Sequence, residues 1–157
     1  MATRRTASVD LENCTGSYFR LQVLHQYTNE GTDDSGLLDF KPGEKKRVFD
    51  SVQYYTGFFT TGCDNWKVDG IRLHEVTTDS KTVQAMIGGK AFVEGLPYKS
   101  GHGFGAQWKK HTLRAEDRDR ATLIKVFQTE VQFISPSGVS TTTFDTVGQN
   151  VLGLGVQ

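Results

Sequence analysis

Apolar and polar side chains alternate along most of this chain, and no segment of about ten residues follows the 3.6-residue period of a helix. In residues 18–27, Phe19, Leu21 and Val23 fall on one face, while Arg20, Gln22 and Gln26 fall on the other. A period of two is the mark of a half-buried strand, because successive side chains leave the backbone on opposite sides. Residues 123–127 and 130–134 read as a hairpin with Ile124, Val126, Val131 and Phe133 inward. Glycine, proline and asparagine clusters at residues 13–17, 42–43, 88–89 and 136–138 punctuate the alternation. This pattern predicts an all-β chain, a single antiparallel β-sandwich of roughly eight to ten short strands. At 157 residues it is one domain, covering 1–157, with 1–6 and 148–157 as loose tails.

Several local expectations follow from the same pattern. Residues 7–12 precede the turn at 13–17 and are expected to form the hairpin partner of 18–27. Residues 47–55 carry β-formers on both faces, as in a strand packed on two sides. Asp69-Gly70 is the dipeptide of a tight type I′ turn, pairing Val68 with Ile71 and Trp66 with Leu73. One long strand bulged at Gly70 is the alternative. Residues 95–105 form the longest irregular stretch, strand resumes over 107–113, and 114–120 is a solvated, mixed-charge turn.

Composition excludes some classes of function. Eighteen basic side chains balance eighteen acidic ones, so the chain lacks the basic footprint of a nucleic-acid binder. No apolar run approaches the roughly 20 residues of a membrane span, and the start of the chain has no signal-peptide core. A cytoplasmic protein is expected, with release by a leaderless route left open. Cys14 and Cys63 read as thiols in a reducing compartment, or as one pair if exported. Asn13-Cys14-Thr15 satisfies the glycosylation sequon by chance.

Catalytic signatures are weak. Gly101-His102-Gly103-Phe104-Gly105-Ala106 has dinucleotide-loop spacing, but a proline-containing loop precedes it and no helical face follows. His25, His74, His102 and His111 show no metal-pair spacing, and His25 continues the apolar face of its strand. Asp33-Asp34 and Asp64-Asn65 are better explained as turn residues than as calcium ligands. The expectation is therefore no catalysis, no cofactor and no metal.

The segment 54–66 stands apart, with Tyr54, Tyr55, Phe58, Phe59 and Trp66 set among two glycines and three threonines. Such rings are either core or an amphipathic surface that meets a lipid interface or stacks on sugar. Trp66 is expected mainly as a core anchor. Lys109, Lys110 and Arg114 are the cations placed to meet an anionic headgroup or phosphorylated partner.

Four blocks carry a resemblance: Asn13-x-Thr15-Gly16; Val23-x-His25-x-Tyr27; the run from Tyr55 to Trp66; and His111-x-Leu113-Arg114-Ala115-Glu116-Asp117. Together they resemble a group of small, leaderless fungal and bacterial β-proteins whose role is largely uncharacterised. In layout the chain is similar, more loosely, to the aegerolysins and to the actinoporin-like cytolysins and lectins. That resemblance implies a β-sandwich that binds membrane lipid or glycan, in a cytolysin-like, toxin-like or defence setting. The amphipathic N-terminal helix of actinoporins is missing, which counts against self-sufficient pore formation. The expected site is Tyr54, Tyr55, Phe58, Phe59, Trp66, Lys109, Lys110 and Arg114. The alternative expectation is a self-assembling or packaging protein whose aromatic patch makes homo-oligomer contacts.

Overall fold

The computed structural model describes residues 2–58, 60–101 and 107–147. The strands are β1 (Thr3–Asn13), β2 (Phe19–Tyr27), β3 (Thr32–Asp34), β4 (Leu38–Phe40), β5 (Lys45–Thr56) and β6 (Asp64–Val76). They continue with β7 (Ala85–Ile87), β8 (Lys90–Ser100), β9 (Lys109–Lys110), β10 (Ala121–Val126), β11 (Glu130–Ser135) and β12 (Gly138–Thr146). One 3₁₀ turn, Ala115–Asp117, interrupts them.

The fold is all-β, as the alternation requires, with twelve strands among the described residues where roughly eight to ten were expected. They run in the order β3-β2-β6-β8-β12-β11-β10-β1-β5, one sheet curled until it is nearly closed, between a sandwich and a barrel. Strand β12 joins the two halves: Gly138 to Thr143 pair with β11, and Phe144 to Thr146 pair with β8. Among the described residues all pairings are antiparallel except β1 with β10.

Alternation decides which side chains enter the core. Every odd-numbered residue of β2 from Phe19 to Tyr27 is buried, and so are Val9 and Leu11 of β1, Ile124 and Val126 of β10, and Val131 and Phe133 of β11. With Phe40, Tyr54, Trp66, Val68 and Phe144 they form one apolar core. Full burial of each such side chain is worth roughly 1.5–3 kcal/mol. The β10–β11 hairpin and its inward residues match the sequence expectation.

Other elements depart from it. Residues 7–12 do not fold back on β2; β1 pairs with β5 and β10 instead. The Asn13 side chain steers the chain across, donating to Ser17 and Lys41 carbonyls at 2.7 and 3.1 Å and accepting from Thr15 N–H and hydroxyl. Its amide, fully buried, belongs to this turn. The first residues are no loose tail, because β1 begins at Thr3, while 148–157 lie outside the described residues. Strand β5 stands at the end of the strand order and is not packed on both faces: Val52 and Tyr54 are buried, whereas Ser51 and Gln53 on the other face are exposed.

The tight turn at Asp69-Gly70 does not form. Strand β6 runs straight through it, and the irregularity against β8 falls between Ile71 and Leu73. Gly70 is required for packing: a Cβ there would meet Leu21 Cδ2 and Phe144 Cζ, both at 2.9 Å. The shift restores Leu73 to a buried position, in a smaller cluster with Ala85 and Phe92. Residues 95–100, expected to be irregular, belong to β8, and only Lys109–Lys110 of the 107–113 segment is strand.

Candidate functional site

The ends of β2, β5 and β11 and the starts of β1, β6, β10 and β12 gather at one end of the barrel. Seven of the eight expected site residues, all but Phe59, are described, and they come from segments that end, begin or connect there. Their environments differ sharply.

Strand β5 reaches this end with Val52 and Tyr54 inward. Tyr54 is fully buried, and its hydroxyl donates to the Arg114 carbonyl at 2.8 Å. Burial pushes its phenol up to about 12, so it stays a hydrogen-bond donor through the physiological range. Trp66 is equally buried, its ring tilted against His25 with centroids 4.4 Å apart, and it donates Nε1–H to the His111 carbonyl at 2.9 Å. These two rings are core and leave the binding set. Tyr55 is half-buried, 5.6 Å from the Tyr27 ring. Gly57, at φ 122°, turns the chain and presents Phe58, which is 83% exposed. Phe59 lies outside the described residues.

The second wall is the segment from Lys109 to Asp117. Its short strand β9 adds to the start of β6, Lys109 opposite Trp66 and Lys110 opposite Asn65. Asp64 holds the next stretch: its carbonyl accepts from His111 N–H at 3.0 Å and its Oδ2 from Leu113 N–H at 2.9 Å. Asp64 Oδ1 lies 2.7 Å from His25 Nε2, and Asp33 lies 2.8 Å from His25 Nδ1. His25 is thus the partnered core-edge histidine that its strand position implies. Leu113 is buried beside them, which turns Arg114 outward to an exposed position.

The mixed-charge run 114–120 is more than a solvated turn. Asp117 is fully buried and accepts from Arg114 N–H at 2.7 Å, Ser137 N–H at 2.9 Å and Ser137 hydroxyl at 2.5 Å. Burying a carboxylate is tolerated here because donors satisfy it. The result ties the Arg114 turn to the β11–β12 turn. Lys109 is half-buried, whereas Lys110 and Arg114 are exposed.

Between these walls run three adjoining grooves. The first, of about 420 Å³, is lined by Tyr27, Asn29, Glu30, Tyr55, Phe58 and Thr61, among others. The second, of about 280 Å³, shares Tyr55, Thr60 and Gly62 with it and reaches Thr112, Arg114 and Glu116. The third, of about 270 Å³, shares Thr112 and Arg114 and extends to Lys110, His111, Val139 and Ser140. A Cβ on Gly62 would run into the Tyr27 hydroxyl, so glycine here keeps the floor of the first two grooves open. Two buried hydroxyls, Thr60 Oγ1 and Thr112 Oγ1, have no hydrogen-bond partner among the described residues, and both line the second groove.

His111 is buried, with Nδ1 2.6 Å from Ser140 Oγ and Nε2 2.8 Å from Ser135 Oγ. Burial holds its pKa below the ordinary histidine value, against the opposing pull of Asp117 and Asp64, with Lys109 adding to the lowering. A histidine kept neutral in the native state stabilises the fold above the unfolded pKa of 6.5, and that stabilisation is lost as pH falls through the lower folded value. Urea midpoints measured from pH 7 downward are expected to fall below pH ~6.5, less steeply in His111→Gln. Equal slopes for the two proteins would remove His111 from this role.

Cys14 and Cys63 are both free thiols. Among the described residues no group of three or more His, Cys, Asp or Glu side chains is placed to hold a metal ion. No described helix is long and apolar enough to cross a membrane. Sequence reasoning named Tyr55, Phe58, Lys110 and Arg114, which line this end, but missed Asn29, Glu30, Thr60, Thr112 and Ser140. Of these only Asn29 left a usable signal, a turn-forming Thr-Asn-Glu run that the structure places at φ 64°.

No curated protein sequence matches the chain. The model of the family described as "Up-Regulated in long-lived daf-2" matches residues 3–144, from the first residue of β1 into β12, and the chain belongs to that family.

Proposed function

We propose that this protein is a non-catalytic recognition module that binds a glycan, free or as the headgroup of a membrane lipid, in the grooves beside Phe58. The observation that carries the reading is an 83% exposed phenylalanine at the lip of a groove of about 420 Å³. Sugar rings have apolar faces and hydroxyl edges. Tyr55 and Phe58 offer surfaces for the faces. Asn29, Glu30, Thr61 and the unpartnered Thr60 hydroxyl offer both donors and acceptors for the edges. The loose layout likeness to aegerolysins and actinoporin-like lectins gains no support from the family match and carries no weight in this reading.

Phe58→Ala is expected to weaken binding roughly tenfold or more, about 1.4 kcal/mol, while leaving the urea midpoint within about 0.5 kcal/mol of wild type. A glycan array, followed by flotation with vesicles carrying the best hit as a glycolipid, measures the first. A silent array together with no flotation on any vesicle would falsify the reading.

A second reading, self-association, has one observation in its favour: β5 is a twelve-residue strand at the end of the strand order. Such edges pair readily with other chains. Lys45, Lys46, Arg47 and Asp50 along it are the kind of charges that oppose such pairing. Sedimentation over a concentration series separates the readings, since a monomer at all concentrations excludes the second.

A further inference from the structure

We propose that the third groove is an oxyanion site, so that the recognised glycan carries a phosphate, sulfate or carboxylate group. This deepens the recognition reading and rests on it for the neutral part of the ligand. Lys110 and Arg114 stand exposed along this groove, and no carboxylate side chain is among its lining residues. The two buried carboxylates behind it are already taken up, Asp117 by Arg114 N–H and by Ser137 N–H and hydroxyl, Asp64 by Leu113 N–H and His25. Thr112 contributes a buried hydroxyl with no partner among the described residues.

The other donor comes from a hydrogen-bond chain that starts in the core. Thr122 Oγ1 lies 2.7 Å from Ser135 Oγ, which lies 2.8 Å from His111 Nε2, and His111 Nδ1 lies 2.6 Å from Ser140 Oγ. A neutral imidazole has one N–H and one acceptor nitrogen. If Thr122 donates to Ser135 and Ser135 to Nε2, the proton sits on Nδ1 and is given to Ser140. The Ser140 hydrogen is then left for the groove, beside two cations and the Thr112 hydroxyl. Every member of that set can donate, as an oxyanion demands. In the opposite direction Ser140 would give its proton to Nδ1 and face the groove with lone pairs. That is the arrangement of a nucleophile and its base.

The test uses NMR on the full chain. It is titrated with inorganic phosphate, inorganic sulfate, a sulfated oligosaccharide and its desulfated form, and phosphatidylserine vesicles. We expect saturable shifts at Lys110, Thr112, Arg114 and Ser140 with both inorganic anions, and ¹⁵N shifts that place the His111 proton on Nδ1. The sulfated sugar is expected to bind roughly tenfold tighter than the desulfated one. Lys110→Ala/Arg114→Ala is expected to erase that difference, and Lys110→Ala, an exposed position that lines only the third of the grooves, to narrow it while neutral-sugar binding persists; Phe58→Ala weakens both. Shifts from vesicles with none from either sugar would keep the oxyanion site and overturn the glycan reading. No shift with phosphate or sulfate, or shifts undiminished in the double variant, overturns the oxyanion site. So does a proton on Nε2 together with covalent labelling of Ser140 by a fluorophosphonate, which would assign a nucleophile instead.

Discussion

Asp64→Ala is expected to lower the unfolding free energy by about 3–5 kcal/mol, with an unchanged urea m-value. The size follows from what the carboxylate does. It is fully buried, and its two oxygens serve His25 Nε2 and Leu113 N–H. Alanine leaves both groups in a site that water does not reach, and each orphaned buried polar group costs roughly 1–3 kcal/mol. Asp64→Asn keeps one acceptor oxygen and so should lose less. The Leu113 amide, which donates to Asp64 from a buried residue in the native protein, should exchange faster in both variants. The effect reaches the proposed recognition surface, because Leu113 is the buried foot of the segment that carries Lys110 and Arg114. A loss below about 1 kcal/mol, or an unaltered Leu113 amide, would mean that this carboxylate does not hold the segment.

Trp66→Ala should be of similar size, about 3–5 kcal/mol, for a different reason. The indole is the largest fully buried side chain and lies between His25 at 4.4 Å and Phe133 at 6.1 Å. Removing it leaves a cavity that β-strands on both sides cannot close, since their spacing is set by backbone hydrogen bonds. It also orphans the His111 carbonyl, which accepts from Nε1 at 2.9 Å. Trp66→Phe separates the two causes: most of the packing stays and the hydrogen bond goes, so a loss of roughly 1–3 kcal/mol is expected. Urea unfolding read by circular dichroism measures both variants. If Trp66→Ala were nearly as stable as wild type but lost ligand, Trp66 would return to the binding surface from which its burial removes it.

How far the sequence could be read depended on how local the deciding contacts were. Phe19 to Tyr27 and the β10–β11 hairpin were legible because alternation alone sorts their side chains, and a hairpin needs only neighbours in the chain. Asp69-Gly70 was not, although the dipeptide is a strong turn signal. Gly70 answers to Leu21 and Phe144, distant in sequence, whose side chains occupy the space a Cβ would fill. Tyr54 was ambiguous for a similar reason. Strand β5 carries β-formers on both faces, and its register against β1 shifts at Ala7/Val9 and Val9/Asp10, so parity counted along the chain does not carry through. The turn at residues 13–17 was recognised, but its direction was set by the buried Asn13 amide reaching Lys41, 28 residues away.

The candidate site follows the same division. The amino-acid order determined that the protein is all-β, that aromatic residues crowd 54–66, and that cations stand at 109, 110 and 114. Those are properties of single segments, set by side-chain period and chemistry. Which rings become core and which become surface was decided only by the tertiary structure. So were the three adjoining grooves, built from residues 27–30, 55–58, 60–62, 110–116 and 137–140. The physical reason is that these walls are held by Asp64 and Asp117, each binding backbone N–H groups of the 111–114 stretch. A carboxylate's partners in space leave no periodic trace along the chain.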